Sequence, residues 1–180
     1  MKRIILILLA LSIVGNVVLV VCKTSDKTTY AEVVSDPAEL INGIRSYQTL
    51  YSTIQLLQAE NQAFKVDEGQ RVYDDKRLPF NIDTIMIQGY THLQQSGKLE
   101  LVFFNNRLQS TKFYPDNVPV YLEMLKKHSN IDLVANNEVA YLENAKVRKY
   151  KETMGSKLLC IVWEDLRLVA EHNKWICQYS

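Results

Sequence analysis

The clearest pattern of apolar and polar positions lies between residues 98 and 114, where two strand-like runs flank the pair Asn105-Asn106. Asparagine tolerates the positive φ angles of a tight two-residue turn, so this stretch predicts a β-hairpin. Counting outward from the turn gives an apolar face with Leu99, Leu101, Phe103 and Leu108, and a polar face with Lys98, Glu100, Arg107, Gln109 and Thr111. We expect the apolar face to lie in a core and the polar face to meet water.

A helix is predicted over residues 37–63. Asp36 can serve as its N-cap, Pro37 suits the first helical position, and Glu39 completes a capping box. An apolar stripe with helical spacing follows, made of Leu40, Ile44, Tyr47, Tyr51, Ile54 and Leu57. The stripe is too short for a coiled coil, so we expect it to pack on the domain's own sheet rather than on a partner.

The segment between this helix and the hairpin predicts one loop, one strand and one turn. Residues 65–80 mix charges without periodicity and are interpreted as a surface connection, which could still carry a site. Residues 82–88 alternate as a strand does, and residues 94–97 are interpreted as the turn into the hairpin. Three antiparallel strands result.

The same order of elements is predicted again in the second half of the chain. Asp116 or Asn117 caps a second helix, which ends near His128 and has the stripe Val118, Tyr121, Leu122 and Leu125. Residues 129–144 give no clear pattern. Strands are then expected near 146–152, 157–163 and 166–170, with a turn at Glu164-Asp165.

Together these elements predict an α+β fold in which an antiparallel sheet packs with helices. Lys98-Leu99 aligns with Lys157-Leu158, and Arg107-Leu108 aligns with Arg167-Leu168. Residues 36–180 are therefore expected to form one α+β domain, either as a single unit or as a tandem helix-plus-three-strand repeat with halves 36–115 and 116–180.

The N-terminus changes this picture, because residues 4–22 form a nearly unbroken apolar run. In a helix this run would reach roughly 28 Å, close to the hydrocarbon thickness of a bilayer. Residues 1–22 are interpreted as a membrane anchor or a signal segment, and residues 23–35 as a polar tether. We favour a retained anchor, because the run is long for a secretory signal and only a weak cleavage site precedes Cys22.

Two further features bear on this segment. Cys22 follows an apolar run, as the lipidated cysteine of a bacterial lipoprotein does, but Val21 stands where such signals have a small residue. We therefore favour an unmodified cysteine. Lys2 and Arg3 precede the run and favour a cytoplasmic N-terminus. The domain is then expected in the periplasm or outside a bacterial cell, anchored to the inner membrane, or secreted or periplasmic if the signal is cleaved.

Charge and composition exclude some classes of function. Of the 21 basic residues, Lys2 and Arg3 lie in the N-terminal segment, which leaves 19 against 20 acidic residues. Such a balance gives no field that attracts nucleic acid. No zinc-type pairing of cysteines and histidines, phosphate loop, dinucleotide fingerprint or Gly-x-Ser-x-Gly elbow is present. The sequence assigns no catalytic, cofactor-binding or metal-binding residue, and we expect no enzyme.

Cys160 and Cys177 would be exported together and could oxidise. If residues 175–179 form a last strand, the two cysteines lie two strand spacings apart, about 9.6 Å. A disulfide needs closer Cα atoms, so two free thiols are expected unless the chain ends differently.

Two functional classes remain. The favoured one is a membrane-tethered, non-enzymatic module that contacts the bilayer through residues 4–22 and binds another envelope protein. The alternative is a small exported ligand-binding or hydrolytic domain whose site lies in the 65–80 and 129–145 connections.

Cell fractionation tests the expected tether. The chain should appear in the membrane fraction, require detergent for release, and retain Met1 when its mature N-terminus is read. Recovery of the intact chain from the soluble cytosol would contradict the assignment.

Overall fold

The computed structural model describes residues 34–72, 77–129, 132–133, 140–142, 145–154 and 158–179. They form the expected α+β fold. The strands are β1 Glu39–Ile41, β2 Ile44–Arg45, β3 Phe64–Val72, β4 Phe80–His92, β5 Gln95–Phe104, β6 Arg107–Pro115, β7 Ala140–Leu142, β8 Val147–Met154 and β9 Leu158–Asp165. The helices are α1 Leu50–Ala59, α2 Val118–Ser129 and α3 Leu166–Tyr179.

Strands β3 to β9 form one antiparallel sheet in the order β3-β4-β5-β6-β9-β8-β7. The strands run as two meanders, β3 to β6 and β7 to β9, and the pairing of β6 with β9 joins them. A single sheet therefore crosses the boundary between the two expected halves.

One side of the sheet, the inner face, carries the main core. Its strand residues Ile85, Ile87, Leu99, Leu101, Phe103, Phe113, Ile161 and Trp163 are all buried. The β1–β2 hairpin, α1 and α2 cover this face through Leu40, Ile44, Leu57, Tyr121 and Leu125. Burying each such side chain contributes about 1.5–3 kcal/mol. The apolar stripe of α2 therefore packs on the sheet, as its spacing predicts.

The predicted hairpin is confirmed as β5 and β6, which turn at Asn105 and Asn106 with φ angles of 47° and 59°. Both asparagine side chains accept hydrogen bonds from backbone N–H groups of other segments. Asn106 Oδ1 accepts a hydrogen bond from the Leu50 N–H at the start of α1, at 3.0 Å. Asn105 Oδ1 accepts one from the Asn81 N–H at 2.9 Å. The turn thereby holds α1 and the start of β4.

The predicted faces of the hairpin are partly wrong, because Gln109 forms a bulge. Phe103 pairs with Leu108, but Val102 pairs with Ser110, so Gln109 is an extra residue on β6. The bulge moves Thr111 to the inner face, where it is fully buried. The opposite face is also less exposed to solvent than expected. Arg107 and Gln109 are buried there, because α3 packs over them.

The helix predicted over 37–63 is wrong in its first half. The chain forms β1 and β2 there, turning at Asn42 and Gly43 with φ angles of 46° and 76°. Only α1 is helical, and Thr49 is its N-cap, accepting from the Ser52 N–H at 3.1 Å. Asn-Gly is a strong hairpin signal, but the helix-start residues at 36–39 concealed it.

Two expectations before the hairpin also need correction. Residues 65–72 belong to strand β3 rather than to a loop; residues 77–79 do form a connection, and 73–76 lie outside the described residues. The turn expected at 94–97 lies at Leu93 and Gln94, with φ angles of 48° and 62°. The strand predicted over 82–88 is confirmed within β4.

Between Pro115 and Trp163 the predicted helix and strands are found, and β7 lies in the stretch that gave no clear pattern. Helix α2 and strands β8 and β9 are confirmed, and Asn117 Oδ1 accepts from the Val120 N–H at 3.3 Å, as a cap does. The turn at 164–165 is wrong because both residues belong to β9, and the strands at 166–170 and 175–179 are wrong because residues 166–179 form α3. Arg107-Leu108 and Arg167-Leu168 therefore lie in a strand and a helix, so the two halves do not end alike.

A buried carboxylate marks the start of α3. Asp165 is fully buried and its Oδ1 accepts from the Arg167 N–H at 2.9 Å, which makes it the N-cap. Its Oδ2 accepts from Ser46 Oγ at 2.7 Å and from Arg167 Nη2 at 2.6 Å. Arg167 also reaches Asp36 Oδ1 at 3.0 Å, and Lys146 pairs with the same carboxylate. These contacts join the β1–β2 hairpin, the sheet and α3.

Within the described part of the chain, no helix has the length and apolarity needed to cross a bilayer. Residues 1–33, which include the predicted anchor and most of the tether, lie outside the described residues.

Replacing Asp165 tests this junction. Asp165→Ala should lower the free energy of unfolding by about 3 kcal/mol, because it removes a helix cap and leaves Ser46 and Arg167 without their buried acceptor. Chemical denaturation measures the loss. Asp36→Ala removes the exposed acceptor of Arg167 and should cause a much smaller one; equal losses would contradict the role of Asp165.

The environment of Asp165 also predicts how the stability of the fold depends on pH under acidic conditions. Burial alone would raise the pKa of Asp165, but the hydrogen bonds from Arg167 and Ser46 outweigh it and hold the pKa below its usual range. A group whose pKa falls on folding stabilises the protein above the unfolded pKa, and this contribution disappears as pH drops through the folded value. Wild-type stability should therefore fall below about pH 4, and less steeply in Asp165→Asn.

Candidate functional site

The second side of the sheet, the outer face, is only partly covered. Trp175 of α3 packs on Phe80 with ring centroids 4.3 Å apart, and its Nε1–H donates to the Leu78 carbonyl at 2.8 Å. Phe104 completes this small aromatic cluster. Beside it, α3 and strands β4, β5, β6, β9 and β8 enclose an open groove of about 410 Å³. We call this space the outer groove.

The lining of the outer groove divides by chemistry. Its apolar part consists of Ile82, Val102, Val162 and Val169. Its neutral polar part consists of Thr84, Gln109, Ser110, Tyr150, His172 and Asn173. Its charged part consists of Glu100, Lys112 and Glu164. A groove of this kind offers hydrogen-bonding groups over an aliphatic surface.

The charged groups of the outer groove bind one another or their neighbours. Lys112 Nζ lies 3.0 Å from Glu152 Oε2. Glu164 Oε1 accepts from Arg148 Nε at 2.7 Å, and Glu164 Oε2 accepts from the Tyr150 hydroxyl at 3.1 Å. Glu100 Oε2 accepts from the Tyr114 hydroxyl at 3.4 Å and lies 4.0 Å from Lys98 Nζ. Each charged group of the lining is therefore paired with another described residue of the domain.

The electrostatics keep Tyr150 and Lys112 each in one protonation state at neutral pH. Burial, and then the neighbouring Glu164 carboxylate, raise the pKa of Tyr150. Burial opposes the charge of Lys112, but the hydrogen bond to Glu152 outweighs it, so the pKa of Lys112 is raised. The phenol thus stays neutral and the amine stays charged.

The helix side of the groove is also neutral. His172 stacks on Phe104 with ring centroids 4.9 Å apart and an interplanar angle of 12°. Its Nδ1 shares a hydrogen bond with Gln109 Nε2 at 3.3 Å. Burial lowers the pKa of His172, so the imidazole is uncharged at neutral pH.

The cysteines are separated by the unexpected helix. Cys160 is buried on β9, where its Sγ lies 3.7 Å from Glu152 Oε2, and burial followed by that carboxylate raises its pKa to about 11. Cys177 is exposed on α3. Both are free thiols. The expected separation by two strand spacings does not apply, because Cys177 lies on a helix and not on a last strand. Cys22 lies outside the described residues.

The regions predicted to carry an alternative site do not line the outer groove. Described residues of 65–80 belong mainly to β3 at the sheet edge, and none of them, or of the described part of 129–145, contributes to its lining. The groove is instead built on the hairpin face that alternation assigned to water. The structure has the cross-strand pairs Glu100–Lys112 and Arg148–Glu164 at this face. Sequence reasoning missed them, because the predicted hairpin has no bulge and Glu164 was expected in a turn, and the wall of the groove depends on α3.

Comparison with known proteins gives no relative from which to transfer a function: no family model matches the chain, and no curated protein matches it. Over the ranges that the structure describes, no group of three or more His, Cys, Asp or Glu side chains could hold a metal ion.

Thiol labelling tests the environment of the cysteines. Iodoacetamide at neutral pH should modify Cys177 and leave Cys160 intact, because alkylation requires an accessible thiolate. Peptide mass mapping separates the two sites. In denaturant both should react alike, and equal rates in the folded protein would contradict the burial of Cys160.

Proposed function

We propose that this chain is a membrane-tethered, non-enzymatic, extracytoplasmic module of a bacterial envelope, and that it binds an extended segment of another envelope protein in the outer groove. One observation carries the proposal. The charged side chains of the groove are balanced within the domain, while neutral hydrogen-bonding groups lie beside valines. A weakly charged peptide matches this surface.

The dimensions of the outer groove support an extended occupant. Its lining comes from five neighbouring strands, from Ile82 of β4 to Tyr150 of β8. Four strand spacings amount to about 19 Å, the length of about six extended residues. Gln109, Ser110 and Asn173 can bond to peptide groups, and Val102, Val162 and Val169 can receive apolar side chains.

The expected anchor supports the proposed location at a membrane. Residues 4–22 are apolar enough to hold the chain in a bilayer, and residues 23–35 lead to Asp36. Asp36 is fixed by Arg167 in the first turn of α3. The helix that walls the groove therefore begins where the tether enters the domain, so the membrane holds the groove close to other proteins of the same membrane.

A small exported ligand-binding domain is the second candidate. The volume of the outer groove favours it, since about 410 Å³ lies in the range of small-molecule sites. The same neutral groups would then bind an uncharged ligand instead of a peptide. The hydrolytic form of this alternative has no supporting observation in the groove.

Photocrosslinking in native membranes tests the peptide proposal. A photoreactive residue at Asn173, which is exposed at the groove, should form an adduct with one reproducible envelope protein. The same residue at Val120, exposed on α2 beyond the other face, should not. Thr84→Arg should reduce the Asn173 adduct by about tenfold or more, because an unpaired charge fills the groove.

Gln88→Arg is the matched control, since Gln88 is exposed on the same strand and does not line the groove. This variant should leave the adduct unchanged. An adduct that forms equally from Val120, or that survives Thr84→Arg, would contradict peptide binding in the groove. Loss of the adduct together with retention of a small molecule on purification would favour the second candidate.

A further inference from the structure

A second cavity, of about 380 Å³, lies on the inner face of the sheet, between the β1–β2 hairpin and strands β7, β8 and β9. Leu40, Ile41, Leu142 and Trp163 supply its apolar lining. Glu39, Asn42, His92 and Lys149 supply its polar lining. Of the residues that the structure describes, none lines both this cavity and the outer groove.

The lysine in this cavity is unusual for its burial. Lys149 is only 5% exposed, and its Nζ lies 4.9 Å from the centroid of the Trp163 ring. Within the described residues, its ammonium makes no hydrogen bond or ion pair. Burial lowers the pKa of Lys149 to about 8, so the amine is still mostly protonated at neutral pH. A largely buried cation that has no counter-ion among the described residues is unfavourable, and an anion beside it would relieve the cost.

Among the described residues, no carboxylate forms an ion pair with Lys149. Burial, and then the charge of Lys149, lower the pKa of His92 to about 4, so its imidazole is neutral. His92 Nδ1 shares a 2.6 Å hydrogen bond with the Tyr121 hydroxyl. The carboxylate of Glu39, which also lines the cavity, accepts from the Gly43 N–H at 2.9 Å within its own hairpin.

We propose that this cavity binds a small organic carboxylate, with its carboxylate on Lys149 Nζ and its aliphatic body against Leu40, Ile41, Leu142 and Trp163. One ammonium beside a neutral imidazole matches a single negative charge. A phosphate group usually requires several cationic or backbone donors, and an inorganic ion would leave the apolar lining empty. The site is independent of the outer groove and of the function proposed for it.

Two tryptophans make the test direct, because Trp163 lines the cavity and Trp175 lies in the aromatic cluster of the outer face. The full chain in lipid nanodiscs is labelled with 5-fluorotryptophan, and Trp175→Phe assigns the two fluorine resonances. Hexanoate should shift the Trp163 resonance saturably and leave that of Trp175 in place. 1-Hexanol, which keeps the aliphatic body but lacks the charge, should bind at least about tenfold more weakly.

Two lysine variants of β8 complete the experiment. Lys149→Met should raise the hexanoate midpoint at least about tenfold, whereas Lys151→Met, on the same strand and the same face but outside the cavity, should change it by less than about twofold. Equal binding of hexanol or of inorganic phosphate would overturn the proposal, as would a response at Trp175 alone or unchanged binding in Lys149→Met. If Lys149→Met fails to fold, the comparison of hexanoate, hexanol and phosphate on the wild-type chain still tests whether the cavity prefers an organic carboxylate.

Discussion

The buried carboxylate of Asp165 is the interaction on which the arrangement of the domain depends. It ends the interior strand β9, caps α3 and accepts from Ser46, whose hydroxyl oxygen in turn accepts from the Ala38 N–H at 2.9 Å. A buried carboxylate is tolerated only when donors surround it, so the hairpin, the sheet and the helix must meet in one geometry. That geometry sets the direction of α3 and hence the wall of the outer groove.

Strand alternation gives the two faces of the sheet different chemistry at neighbouring positions. On β8, Lys149 faces the inner cavity and Tyr150 faces the outer groove; on β9, Trp163 and Glu164 divide in the same way. The outer charges neutralise one another, whereas the inner ammonium has no anionic partner among the described residues. The proposed occupants differ accordingly: an uncharged segment on the outer side and an organic anion on the inner side.

Local sequence signals gave correct predictions where the residues that define an element lie close together in the chain. The Asn105-Asn106 turn, the stripe of α2 and the alternation of β4 each act within a few residues, and each is confirmed. The wrong predictions arose where a local pattern fits more than one structure and other contacts decide between them. Asp36 resembles a helix cap, yet it binds Arg167, 131 residues away. Leu166 to Ala170 fits both a strand and a helix, and the cap at Asp165 decides for the helix.

By itself the sequence determined the α+β class, the hairpin at the centre of the sheet and an apolar N-terminal run long enough for a bilayer, because these follow from propensity and periodicity over short stretches. Only the tertiary structure decided that β6 pairs with β9, that α3 covers part of the face predicted to be wet, and that Lys149 is buried beside Trp163. These features depend on contacts between residues distant in the chain, and the groove and the cavity exist only where such contacts leave space.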